Sequence, residues 1–174
     1  MPNKKMETQI VLCGRGGQGV LFLTRLLDEV ALSGGSNVIS SETHGMAMRG
    51  GSVVSYVKIG NFNSPLIRAG QGDILLALSQ PEVALNKHLI KKGSRQIYCN
   101  ASSGGYGFID ATAIARDLGS VVVTNLVLLG FACGYPEFPF DFGAVETVLQ
   151  KISPPRVLKI NTMALTAGNR KSMA

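Results

Sequence analysis

The chain has no tryptophan, two histidines and three cysteines among its 174 residues, and no apolar run reaches the roughly 18 residues that a membrane span needs. Cys13, Cys99 and Cys133 are far apart and odd in number, so the close spacing of a structural zinc or iron–sulfur site is missing. Each lies in or beside an apolar segment, which predicts small buried hydrophobes in a reducing cytoplasm. The polar start, Met1 to Glu7, lacks the basic and then apolar regions of a secretory leader, so a cytoplasmic location without membrane association is expected. Acidic residues are scarcer than basic ones, 11 against 17 for a net charge of +6. The cations are scattered through Lys4-Lys5, Lys91-Lys92, Arg156, Lys159 and Arg170-Lys171 without interleaved aromatics. They read as solvated faces rather than a nucleic-acid surface.

Glycine and aliphatic residues are plentiful: 21 glycines and 45% hydrophobic content suit one α/β domain over residues 1–174 with a substantial core. The apolar segment Thr8 to Leu12 reads as a strand, and Val20 to Ser33 carries apolar residues at helical spacing before the stop at Gly34-Gly35. Strands are further expected at Asn37–Ser41, Val53–Ile59, Ile74–Leu78, Arg95–Cys99 and Val121–Val123. Helices are expected from a Ser79…Glu82 capping box to about Ile90, over Ala111–Leu118 behind an Asp110 cap, and over Asn125–Cys133. Phe142–Lys151 and the tail Thr162–Gly168 should add peripheral helices, and Asn100–Gly107 a flexible surface loop. Alternating strands and helices predict a three-layer α/β/α sandwich on a Rossmann-like, mostly parallel sheet. Val53–Ile59 follows its predecessor without a helix, which makes that sheet mixed.

Two glycine-rich stretches carry the chemistry. Cys13-Gly14-Arg15-Gly16-Gly17-Gln18-Gly19 stands between a strand and a helix, where close backbone approach and unpaired helix N–H groups favour a phosphate or carboxylate. Gly14, Gly16 and Gly19 satisfy G-x-G-x-x-G, and Glu42, slightly late for a ribose ligand, ends the next strand. The second stretch, His44-Gly45-Met46-Ala47-Met48-Arg49-Gly50-Gly51-Ser52, is a loop between strands. Its Arg49 can hold an anion through a planar fork or pin the loop to a partner or to backbone carbonyls. Gln18 can reach a ligand or cap its own loop. His44 suits ligand orientation, His88 a helix surface, and Met46 and Met48 packing or an interface. No catalytic residue and no metal ligand are assigned to this chain.

Together these stretches resemble the gamma subunit of the 2-oxoacid:ferredoxin oxidoreductases. The matching residues are Gly14-x-Gly16-Gly17-Gln18-Gly19, Glu42-Thr43-His44-Gly45-Met46, Arg49-Gly50-Gly51-Ser52, Asn125 with Leu129-Gly130, and Asn161-x-x-Ala164-x-x-x-Gly168. The His-Gly-Met before Arg-Gly-Gly looks most like the indolepyruvate branch, although Met48 stands where that pattern has glutamine. The resemblance implies a complex that decarboxylates a 2-oxo acid with thiamine diphosphate and Mg, passes electrons through iron–sulfur clusters to ferredoxin, and forms an acyl-coenzyme A. The thiamine-binding and cluster-binding parts are implied to belong to partner subunits. Gly14, Gly16, Gly17, Gln18, Gly19, Glu42, His44, Arg49, Gly50 and Gly51 are implied to face coenzyme A or a partner. A stand-alone nucleotide-binding oxidoreductase and an assembly module without a small-molecule ligand remain the alternatives.

Overall fold

The structure, a computed structural model, describes residues 7–44 and 50–172. Six strands form one sheet in the order β2-β3-β1-β4-β5-β6. They are β1 (Thr8–Arg15), β2 (Val38–His44), β3 (Ser52–Ile59), β4 (Ile74–Ala77), β5 (Ile97–Asn100) and β6 (Phe108–Ile109). β1 pairs parallel with β4, β4 with β5 and β5 with β6, whereas β3 runs antiparallel to both β1 and β2. One reversed strand therefore makes the sheet mixed, as the missing helix before Val53 predicts.

The helices are α1 (Val20–Ser33), α2 (Gln80–Asn86), α3 (Ala111–Asp117), α4 (Thr124–Cys133), α5 (Phe142–Ile152) and α6 (Pro155–Ser172). Side chains alternate across each strand and sort the core into two clusters. Ile10, Leu12, Val57, Ile59, Ile74, Leu76 and Tyr98 pack beneath α1, α3, α4, α5 and α6. On the other face, Val11, Cys13, Leu75, Ala77 and Cys99 meet Val83 of α2 with Leu89, Ile90 and Ile67. The sandwich thus has three layers of very unequal weight. Central β1 is apolar on both faces because both are covered: Ile10, Val11 and Cys13 are 0% exposed.

Several local expectations need correction. Val121–Val123 forms a 3₁₀ turn instead of a strand. Gly119, at φ 94°, ends the preceding helix, and Ser120 N–H donates to the Ala115 carbonyl, so the chain enters α4 with no length left to reach the sheet. The edge position goes instead to the unforeseen two-residue β6, where Cys99 N–H donates to the Gly107 carbonyl. The loop before it is largely exposed but tied down at that end. α2 stops at Asn86, and a 3₁₀ turn over Lys87–Leu89 follows, because Ile90 is drawn into a bridge with Gly72. Ser79 supplies no side-chain cap, so the capping box does not form.

The largest correction concerns the tail. α6 begins at Pro155, whose fixed φ suits a first helical turn, and it is no peripheral element. Ala164 and Leu165 are 0% exposed, and α6 seals α4, a helix buried almost all round. Reciprocal glycines permit this contact: a Cβ on Gly130 would run into the Leu165 carbonyl, and one on Gly168 into the Val127 carbonyl. Asn169 then donates to the Gly130 carbonyl at 3.2 Å, satisfying a backbone group inside the seam.

Gly168→Ala should consequently destabilise the chain despite the better helix propensity of alanine, by about 3 kcal/mol or a melting shift of roughly 6–12 °C. Gly105→Ala, at a position where a Cβ meets nothing within 4 Å, should leave melting unchanged. Calorimetry of both variants checks the seam, and equal melting temperatures would refute it.

Candidate functional site

The connection from β1 runs toward β2 over one face of the sheet, and that from β4 runs toward β5 over the other. The carboxyl ends of β1 and β4 therefore border a topological switch point, where open α/β sheets leave a crevice. The first glycine stretch lies there. Gly17 (φ 94°) and Gly19 (φ 84°) have the positive φ that the turn into α1 requires. Gly19 is the N-cap of α1 without a side-chain cap, and no acid occupies the first helical turn. The positive end of a 14-residue helix is thus left for an external anion.

The second stretch is joined to the first through the reversed strand. Antiparallel pairing sets Gly14 opposite Val53 and Arg15 opposite Ser52. Beyond the ladder, Gly16 N–H donates to the Gly51 carbonyl at 2.9 Å. A Cβ on Gly16 would come within 3.2 Å of the Gly50 nitrogen, so the two backbones approach as closely as glycine allows. Gly14, Gly16, Gly17, Gln18 and Gly19 are in this way brought together with Gly50 and Gly51. His44 is placed by its strand, opposite Val53 and hence in line with Gly14. Arg49, Gly45, Met46 and Met48 lie outside the described residues.

Glu42 is set apart. It pairs with Ser55 on β2, and β3 separates β2 from β1. Two strand spacings, about 9–10 Å, thus lie between its strand and the glycine turn, whereas a dinucleotide fold keeps the two strands adjacent. Glu42 instead adds its charge to that of Asp28, whose carboxyl is pushed up chiefly by burial, against the lowering effect of its bond to Ser40.

Gln18 closes its own turn. Its Oε1 accepts from Arg15 N–H at 2.7 Å, and its Nε2 donates to the Leu78 carbonyl at 3.2 Å. The same carbonyl accepts Asn100 Nδ2 at 3.1 Å, while Asn100 Oδ1 accepts from Thr112 N–H. A polar chain therefore links the ends of β1, β4 and β5 to the start of α3. Asn125 Nδ2 reaches the Gly19 carbonyl at 3.4 Å from α4, and any Cβ on Gly19 would strike that amide.

Sequence reasoning assigned no site role to Asn100, Asn125, Ser52 or Glu82. Asn125, 5% exposed at the head of an otherwise apolar helix, was marked in the sequence only as a family match with Leu129-Gly130. Glu82 is 3% exposed, and its carboxylate accepts the Ser52 hydroxyl at 2.7 Å and Asn86 Nδ2 at 3.3 Å. Its apparent capping role concealed this inward turn.

The three thiols are held neutral. Burial pushes Cys99 up to about 11. Cys13 rises further through burial, then the Glu82 carboxylate and Cys99, while Cys133 rises through burial and then Asp141. Among the described residues, no three His, Cys, Asp or Glu side chains come together to hold a metal. No helix among them is long and apolar enough to cross a membrane.

Gly17→Val should cost about 1–3 kcal/mol through backbone strain. Crowding contributes nothing, since a Cβ there meets no atom within 4 Å. Denaturant unfolding of Gly17→Val beside Gly17→Asn, which tolerates positive φ better, tests the cause; equal losses would exclude it. The thiols provide a pH test. Because the folded state holds its thiol protons above the ordinary value near 8.5, stability is full below about that pH and is lost as pH rises toward the folded values, about 11 for Cys99. Melting should fall across that alkaline window, and iodoacetamide at about pH 8 should label Cys13 and Cys99 only after unfolding. Rapid native labelling would contradict the burial.

Comparison with known proteins agrees over nearly the whole chain. A family model described as pyruvate ferredoxin/flavodoxin oxidoreductase matches residues 9–170. The chain is 33% identical to the indolepyruvate oxidoreductase subunit IorB of Archaeoglobus fulgidus, with 97% of each covered. In fold it is similar to the gamma subunit of a keto/oxoacid ferredoxin oxidoreductase from Geobacter sulfurreducens, with a TM-score of 0.76 at 24% identity over 95% of this chain and 98% of that one. It is also similar in fold to a 2-oxoglutarate:ferredoxin oxidoreductase from Magnetococcus marinus solved with 2-oxoglutarate, coenzyme A and succinyl-CoA bound. That TM-score is 0.77 at 20% identity, over 98% of this chain but 32% of the longer one. The chain belongs to the pyruvate ferredoxin/flavodoxin oxidoreductase family.

Proposed function

We propose that this chain, acting as one domain over residues 1–174, is the gamma subunit of a cytoplasmic complex that converts a 2-oxo acid to its acyl-coenzyme A with reduction of ferredoxin. An aryl 2-oxo acid of the indolepyruvate type is the substrate favoured by the similarity to IorB. The observation that carries this reading is the pair of glycine loops joined by the bond from Gly16 to Gly51 at the uncapped end of α1.

This arrangement suits the phosphates of coenzyme A. Gly17 and Gly19 bring the backbone close, the first-turn N–H groups of α1 lack intrahelical acceptors, and Arg15 adds an exposed cation beside them. A relative in fold holds coenzyme A. His44 and Arg49 lead into and along the second loop, where His44 orients the ligand and Arg49 grips an anionic group of the ligand or of a partner. Glu42, displaced by β3, is assigned to the partner side of the same face. Thiamine diphosphate with Mg supplies the decarboxylation chemistry, and iron–sulfur clusters supply the route for electrons to ferredoxin. Both are assigned to partner subunits; for the clusters the reason is that three dispersed thiols, two of them buried, are a poor donor set. Neither nucleic acid nor a membrane is a partner in this reading.

Coexpression with the larger subunits, followed by coenzyme-A-dependent dye reduction with indolepyruvate, phenylpyruvate, pyruvate and 2-oxoglutarate, tests the assignment. Turnover should require this chain and favour the aryl acids; turnover that ignores its omission would defeat the reading. Arg49→Lys should weaken ligand or partner binding by more than tenfold, as expected for losing a charge-assisted bond of roughly 1.5–3 kcal/mol. Melting of the isolated subunit should change little. A large melting loss with unchanged binding and turnover would make Arg49 a structural residue.

A further inference from the structure

Glu82 is a buried acid whose charge the fold does not require. A glutamate in the first turn of a helix is most cheaply left in water, where it complements the helix dipole. Here it is 3% exposed, and its carboxylate accepts from the neutral Ser52 hydroxyl and the Asn86 amide at 2.7 and 3.3 Å. Burial of a carboxylate on neutral donors is costly, and an apolar side chain would fill the same space more favourably.

Its contacts mark what it does. Asn86 Nδ2 also donates to the Glu82 carbonyl at 2.8 Å, which holds the side chain turned inward on its own helix. The Cys13 thiol, at the end of β1, lies 3.9 Å from that carbonyl. Ser52, at the other side, begins β3 directly after Gly50-Gly51. One turn of α2 thereby touches the end of β1 and the start of β3, the strands from which the two glycine loops emerge. The segment Gly51-Ser52 is gripped twice: by Gly16 N–H on its backbone and by Glu82 on its side chain.

We propose that Glu82 is a positioning residue, whose hold on the Ser52 hydroxyl sets how Gly50-Gly51 meets the glycine turn Gly14–Gly19 that takes the anionic part of coenzyme A. This rests on the assignment of those loops as the ligand site. Glu82 touches no ligand itself; it acts through Ser52, and its strength comes from a charged acceptor shielded from water.

The test uses the coexpressed complex with Glu82→Ala, Ser52→Ala, their double variant and Glu82→Gln, whose side-chain carbonyl still accepts the hydroxyl. Glu82→Ala and Ser52→Ala should each raise the KM for coenzyme A about tenfold with kcat nearly unchanged, the size of a lost charge-assisted bond. The double variant should be no worse than the worse single one, and Glu82→Gln, which keeps the acceptor without its charge, should fall between the parent and Glu82→Ala. In the isolated chain, hydrogen exchange at Gly16 N–H should accelerate in both alanine variants, while the amides of α4 stay protected. An unchanged KM, multiplicative effects in the double variant, or unaltered Gly16 exchange would each overturn the proposal. Ser52→Ala removes only the hydroxyl that Glu82 holds, on a residue at the surface, and keeps the test open if Glu82→Ala fails to fold. A parent complex without coenzyme-A-dependent turnover would defeat the functional reading, and Gly16 exchange would then judge the Glu82 clamp separately.

Discussion

The reversed strand β3 is the constraint on which the rest of the site depends. Inserted between β1 and β2, it runs its amino end alongside the carboxyl end of β1, so that Ser52 faces Arg15 and Val53 faces Gly14. A parallel strand in that place would start at the opposite edge of the sheet and carry the second loop away. Antiparallel pairing instead makes the two glycine stretches neighbours, and the bond from Gly16 to Gly51 extends the ladder into the loops themselves. α1 fastens β3 from the helical side, where Thr24 donates to Ser55 at 2.8 Å inside the core.

Around that pairing, the switch point is built from backbone groups held by amide side chains. Gln18 and Asn100 both end on the Leu78 carbonyl, and Asn125 reaches the Gly19 carbonyl from a third direction. Neutral amides orient the loop without spending its positive potential, so the N-terminal end of α1 keeps its attraction for an anion. Cys13 and Cys99, buried beneath the site, are kept as neutral, unreactive thiols. The heavy layer of five helices makes this platform stiff. Its innermost contact, α4 against α6, is close enough that only glycine fits at positions 130 and 168.

Much of this was legible in the residues. β1, α1, α4 and α5 follow from apolar runs and helical spacing, and the antiparallel strand follows from the missing helix before Val53. The positive-φ turn from β1 into α1 follows from its glycines. The failures were of one kind: local propensity was overruled by the space available. Val121, Val122 and Val123 are β-branched, yet no sheet edge lies within their reach, and they form a 3₁₀ turn. Ser79 and Glu82 have the spacing of a capping box, yet the carboxylate turns inward to Ser52. The tail Thr162–Gly168 reads as a peripheral helix, but its buried stripe, with Ala164, Leu165 and Gly168, completes the core.

The sequence by itself determined the fold class, the family and the glycine turn from β1 into α1, because these depend on short-range patterns: hydrophobic period, glycine placement and motif order. Only the tertiary structure decided which motifs meet. It set Gly16 against Gly51, removed Glu42 from the turn by the width of an intervening strand, and revealed Glu82, Asn100 and Asn125 as supports. Those relations join residues as much as 106 positions apart. They are fixed by strand order and helix packing, which no local spacing encodes.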